Sequence, residues 1–120
     1  MRVLIDQHPF ALAPAPTDKP WEPIYEWPAF WIQPPADWPK PWVAAFSCSF
    51  TLAEACSDRL HVTADERYEL YLDGELIGRG SERGDLRIWH YETYALSLTA
   101  GAHTLTARVW AFGAKVAPWA

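Results

Sequence analysis

Tyr68-Glu69-Leu70-Tyr71-Leu72-Asp73-Gly74-Glu75-Leu76-Ile77-Gly78 sets two apolar-rich segments on either side of an Asp-Gly pair. Both residues of such a pair accept the positive φ angles of a type I′ turn, whose twist matches that of the strands it joins. The stretch is therefore expected to fold as a tight β-hairpin, with strands over Tyr68 to Leu72 and Glu75 to Gly78. Upstream, the period is also two. Trp42, Ala44, Phe46, Cys48, Phe50 and Leu52 are apolar, while Ser47, Ser49 and Thr51 alternate with them, the pattern of a half-buried strand. Ala53 to Asp58 reads as a turn or one short helical turn, and Arg59 to Ala64 alternates again.

Downstream of the hairpin, glycines 74, 78, 80 and 84 punctuate a loop. Trp89 to Leu98 and Thr104 to Phe112 supply further strands, joined by a turn containing Gly101. No long segment carries helical periodicity. The fold class expected is all-β, an antiparallel β-sandwich or jelly roll over residues 42–120. The last strand runs into Gly113-Ala114-Lys115-Val116-Ala117-Pro118-Trp119-Ala120 and stops while still apolar. Sheets with a long bare apolar edge aggregate, so the chain is expected to be incomplete at this point or to have the edge covered by another subunit as a homo-oligomer.

Residues 1–41 differ in character. Ten of the eleven prolines lie between Pro9 and Pro41, and five of the eight tryptophans between Trp21 and Trp42. Proline removes backbone donors and turns the preceding residue away from helix, so this leader is expected to be irregular or extended. Disordered segments are poor in aromatic residues, whereas Trp21, Tyr25, Trp27, Phe30, Trp31 and Trp38 carry large apolar areas that must cover something. The leader is expected to pack on the sandwich or on a neighbouring domain.

At 120 residues there is room for one compact domain, which excludes a large catalytic barrel. The formal net charge is -5, with 10 basic and 15 acidic residues scattered along the chain, which argues against a nucleic-acid partner. No apolar run approaches the roughly 20 residues of a membrane-spanning helix. The opening apolar run ends after three residues, too soon for a secretory signal, so a cytoplasmic location is expected. Cys48 and Cys56 are too few for a disulfide scaffold and lack zinc-site spacing. Cys48, inside a strand pattern, is expected to be a small buried apolar residue.

Catalytic chemistry finds little support. Glycoside hydrolysis needs two facing carboxyl groups about 5 to 10 Å apart. Asp73 is accounted for by the turn, and Glu66, Glu75, Glu82 and Glu92 fit solvated strand ends or loops. His8, His61, His90 and His103 show no ligand pattern, so neither metal nor other cofactor is expected. Sugar binding fits better. Pyranose rings stack their C–H faces on aromatic rings, and their hydroxyls seek fork-like donors and carboxylate acceptors. The stretch 79–91 offers both in Arg83, Asp85, Arg87, Trp89 and Tyr91, the candidate sugar-binding residues. Trp89 and Tyr91 also share strand parity, so packing of both rings in a core or at a domain interface is the competing explanation.

The order of these pieces resembles the accessory β-sandwich that precedes the catalytic domain in α-L-rhamnosidase-like glycoside hydrolases. The similarity runs from Phe46 to Leu52, through Ala64-Asp65-Glu66-Arg67-Tyr68 and Tyr71-Leu72-Asp73-Gly74, to Arg79-Gly80, Gly84-Asp85 and Trp89-His90-Tyr91. It continues through Leu98-Thr99-Ala100-Gly101 to Val109-Trp110-Ala111-Phe112-Gly113. The hairpin and its glycine-bounded sequel also resemble the sugar-binding jelly roll of β-galactosidase-like enzymes, and both relatives have a galactose-binding-domain-like sandwich. The resemblance implies a non-catalytic, carbohydrate-associated domain, with hydrolysis the work of a separate domain of the parent protein. Its partners would be a rhamnose-containing glycan or that catalytic domain. A purely structural or interaction sandwich that binds no sugar is the alternative.

Overall fold

A computed structural model describes residues 2–5, 29, 31–35, 37–64, 66–80 and 91–111. The chain divides into two compact units, Met1–Leu4 with Asp37–Ala120, and Ile5–Ala36. In the second unit the described residues carry no helix or strand, and Trp31 and Ile32 are 61% and 71% exposed.

The first unit is all-β. Its strands are β1 (Arg2–Val3), β2 (Trp42–Leu52), β3 (Cys56–Val62), β4 (Arg67–Leu72), β5 (Glu75–Gly80), β6 (Glu92–Leu98) and β7 (Gly101–Ala111), with no helix among the described residues. They form two antiparallel sheets, ordered β1-β6-β3 and β2-β7-β4-β5. The sheets share one core. Tyr68 and Leu70 come from the four-stranded sheet, Tyr94 from the three-stranded sheet, and Ala64 from the β3–β4 connection. Leu60, Val62, Leu96, Ile77, Leu105, Ala107 and Val109 pack around them. This is a β-sandwich.

The Asp-Gly hairpin forms as its chemistry demands. Asp73 and Gly74 have φ of 49° and 85°, and Leu72 pairs with Glu75 across the two-residue turn. The β4–β5 register then shifts between Leu70 and Tyr71, a bulge that sets Leu70 opposite Gly78 and Tyr68 opposite Gly80. β5 thus continues two residues beyond the expected end of its strand, and Gly78 and Gly80 belong to it.

Glycine is required there by close approach. A Cβ on Gly78 would lie 2.3 Å from the Tyr94 ring, and one on Gly80 would lie 2.7 Å from both Glu92 and Tyr68. Tyr94 therefore crosses the interior from the other sheet and Tyr68 reaches over from the neighbouring strand, each ring taking about 150–250 Å² out of water and lying on bare β5 backbone.

Several expectations are corrected. β7 is not an edge strand but lies between β2 and β4, because its eleven residues pair along the whole of β2 on one side and with β4 on the other. Cys48 is exposed, as is Cys56, and both are free thiols. Cys48 has the parity of the half-buried Phe46 and Phe50, but the central cluster draws on β7 and not on β2, of which Ala44 alone is buried, so a short side chain at Cys48 reaches only the margin. The stretch Ala53 to Asp58 already contains the start of β3 at Cys56. Arg2–Val3, inside the expected leader, pairs with Tyr94 and Thr93 of β6. Glu92, read as a solvated acid, is 3% exposed.

Candidate functional site

One end of the sandwich gathers the first residue of β4, the last of β5, the first of β6 and the end of β7. There a cleft of about 270 Å³ is lined by Arg2, Arg67, Tyr68, Arg79, Gly80, Glu92 and Trp110. The pairings explain the assembly. Arg67 is the register partner of Trp110, and Tyr68 is the partner of both Val109 and Gly80. On the other sheet Arg2 is paired with Tyr94, two residues from Glu92. Side chains of one parity on β4, β6 and β1 face inward, and Arg67 and Trp110 share the opposite face of β4 and β7.

The floor is a buried polar chain. The Tyr68 hydroxyl donates to Glu92 Oε2 at 2.7 Å and lies 3.0 Å from the Tyr94 hydroxyl. Since the single Tyr68 proton is engaged by the carboxylate, Tyr94 must donate to Tyr68. Burial, reinforced by the Tyr94 hydroxyl and the Glu92 carboxylate, pushes the Tyr68 phenol far above its ordinary pKa. Tyr68 is thus a permanent donor that fixes the Glu92 carboxylate in place. No fully buried side-chain polar atom among the described residues lacks a partner.

The rim is cationic. Arg79 reaches away from the cleft with Nε, which donates to Glu69 Oε1 at 3.3 Å. Glu69 also accepts from Arg108 Nη2 and from the Tyr71 hydroxyl at 2.6 Å. The Tyr71 hydrogen bond first, then Arg79 and Arg108, hold the Glu69 carboxyl below its ordinary range despite partial desolvation. This network braces Arg79, whose side chain remains 68% exposed at the rim.

A second constellation lies at the hairpin turn. Asp73 N donates to the Thr104 carbonyl at 2.9 Å, and Asp73 Oδ1 accepts from Thr104 N at 2.8 Å. His103 Nδ1 is 2.7 Å from Asp73 Oδ2, and Nε2 is 2.7 Å from the Thr99 carbonyl. Neither acceptor carries a proton to give, so both ring nitrogens donate and His103 is an imidazolium. Its pKa is raised first by Asp73 and then by Thr99, and that of Asp73 is lowered, first by His103. This clamp ties the β4–β5 turn to β7 and is structural.

Of the sequence-predicted site, Arg83, Asp85, Arg87 and Trp89 lie outside the described residues. Tyr91 is half-buried, with its ring edge-on to His61 at 5.9 Å, and it does not line the cleft. His61 Nδ1 in turn lies 2.8 Å from Thr93 Oγ1. The cleft residues Arg2, Arg67 and Trp110 are not among the sequence-predicted sugar-binding residues, and the sequence reads Glu92 only as a solvated acid. The hairpin register alone puts Arg67 and Arg79 at one end of the same strand pair, a usable signal. Arg2, Glu92 and Trp110 arrive through long-range pairings that no local pattern announces.

Among the described residues Glu92 is the one acid lining the cleft, so they bring no two facing carboxyl groups together there. No group of three or more metal-type ligands occurs among the described residues, and no helix among them is long and apolar enough to cross a membrane. Compared with known protein families, curated proteins and solved structures, the chain matches none.

Proposed function

We propose that this chain is a non-catalytic, carbohydrate-associated accessory β-sandwich of an α-L-rhamnosidase-like glycoside hydrolase, and that the glycan is held in the cleft at the β4–β7 end. The observation that carries this reading is the composition of that cleft. Residues bearing an indole, guanidinium forks and a fixed carboxylate line about 270 Å³, Glu92 from the inner side and Arg67 and Trp110 from the outer face of the strand ends, slightly below the usual range for small-molecule sites and suited to one sugar ring. Trp110 supplies the apolar platform, Arg67 and Arg79 supply donors, and Glu92 supplies an acceptor whose position Tyr68 sets.

Titration of the purified chain with L-rhamnose and rhamnose-containing oligosaccharides, read by tryptophan fluorescence and calorimetry, tests the reading. Trp110→Ala is expected to abolish the fluorescence response and weaken binding by about 1–3 kcal/mol while the folded circular dichroism spectrum is retained. A folded wild-type sample that shows no heat and no quenching with any of these sugars would defeat it.

The alternative, an interaction domain without sugar affinity, is favoured by a different observation. Leu4, Trp31, Ile32, Trp38 and Val43 are large apolar side chains exposed at 94%, 61%, 71%, 45% and 61%. Such exposure suits burial against another protein surface, including a catalytic domain.

A further inference from the structure

The cleft has more cationic donors than a neutral sugar needs. Among the described residues, Arg67 and Arg79 stand at its exposed rim, and the one carboxylate that lines it is that of Glu92. That carboxylate, Glu92, is on the floor at 3% exposure and is already the acceptor of the Tyr68 proton. Arg108, the neighbouring arginine on β7, is spent on Glu69 and does not line the cleft. Arg67 opens β4 with its side chain exposed, opposite Trp110. Arg79 is 68% exposed and gives only its Nε to Glu69.

A hydroxyl can use one prong of a guanidinium, whereas a carboxylate uses both in parallel and adds charge to each bond. Resting on the glycan reading above, the geometry points to a hexuronate as the residue the cleft selects, with its carboxylate between Arg67 and Arg79 and its ring face against Trp110. The cleft volume admits one such ring, so recognition is of a single acidic sugar residue and not of an extended chain. The buried Glu92 repels an anion placed at the floor, which orients the sugar with its carboxylate at the rim and its hydroxyls inward.

The matched pairs D-galacturonate with D-galactose and D-glucuronate with D-glucose differ in the acid group alone. Calorimetric titration of the full chain with all four, with L-rhamnose and with inorganic phosphate decides the matter. The expected result is that at least one uronate binds about tenfold or more tightly than its neutral counterpart, the gain of a charge-assisted fork over a neutral hydrogen bond. That preference should shrink as salt is raised from low to physiological strength. It should fall to within about twofold in Arg67→Gln, an exposed strand-end change that leaves the core intact. Equal affinity for acidic and neutral sugars would overturn acid selection and leave the glycan reading standing. Binding of phosphate without any sugar would overturn both and make this a simple oxyanion site. Silence toward every probe from a folded sample would likewise overturn both.

Discussion

Two glycines of the hairpin do different physical work, and one substitution at each separates them. Gly78 has an ordinary backbone but no space, since an added Cβ meets Tyr94 at 2.3 Å. Gly74 has open space around it but a φ of 85°. Gly78→Ala is expected to cost about 1–3 kcal/mol or more through forced displacement of the Tyr94 ring, and Gly74→Ala about 1–2 kcal/mol through backbone strain. Urea unfolding at constant m measures both, and only Gly78→Ala should disturb the near-ultraviolet signal of the buried tyrosines. The His103–Asp73 clamp makes a further residue-scale prediction. The raised histidine contributes fully below its ordinary value of about 6.5 and loses its contribution as pH climbs through the higher folded value. The lowered aspartate contributes fully above about 3.8 and loses its contribution as pH falls through its depressed value. The clamp is therefore complete between about pH 4 and 6.5 and weakens on either side. Titration of the His103 ring protons by NMR should give a midpoint above that of a free histidine, and Asp73→Asn should bring it down.

Among the elements, β2 carries an exposed liability. It is eleven residues long, pairs with β7 without a register shift, and has no charge or proline between Trp42 and Leu52. The other edges are protected by brevity in β1, by Asp58 and Arg59 in β3, and by the bulge and Arg79 in β5. Natural edges are blunted by such devices, and β2 has none among the described residues. The edge-to-edge self-association that the apolar C-terminal strand suggested is thus predicted at β2. Thr51→Lys, on the exposed side opposite Ala102, should raise the concentration at which the chain self-associates and leave stability within about 0.5 kcal/mol. Sedimentation velocity across a concentration series checks this, and unchanged association would move the contact elsewhere. The strand itself was legible to the residue, because alternation from Trp42 to Leu52 has only one reading. Its place at an edge was not, since alternation reports which side faces inward and says nothing about the neighbour. The same blindness made β7 look bare when it is the best-paired strand of its sheet.

At the scale of the molecule, the hairpin turn, the all-β class and the antiparallel pairing follow from local chemistry, whereas the site does not. Trp110 reaches the cleft because β7 pairs with β4, and Glu92 because β6 pairs with β3 and β1. Tyr68 and Glu92 are twenty-four residues apart, yet they share a hydrogen bond. Glu92 heads the strand that runs to Leu98, and that local pattern marks the strand without telling that its first side chain is turned inward at the cleft. Only the β4–β5 hairpin joins neighbours within one sheet, and the connections from β2 to β3, β3 to β4, β5 to β6 and β6 to β7 pass from one sheet to the other. The β2–β7 ladder sets Trp42 opposite Ala111. Cross-strand Cα atoms stand only about 4.5–5.5 Å apart, so the span from β2 to β7 begins and ends on one ladder, while β1 pairs at the edge of the other sheet. Peeling β2 from β7 would therefore draw apart the two ends of that span, and a fluorophore pair at positions 42 and 111 would report it.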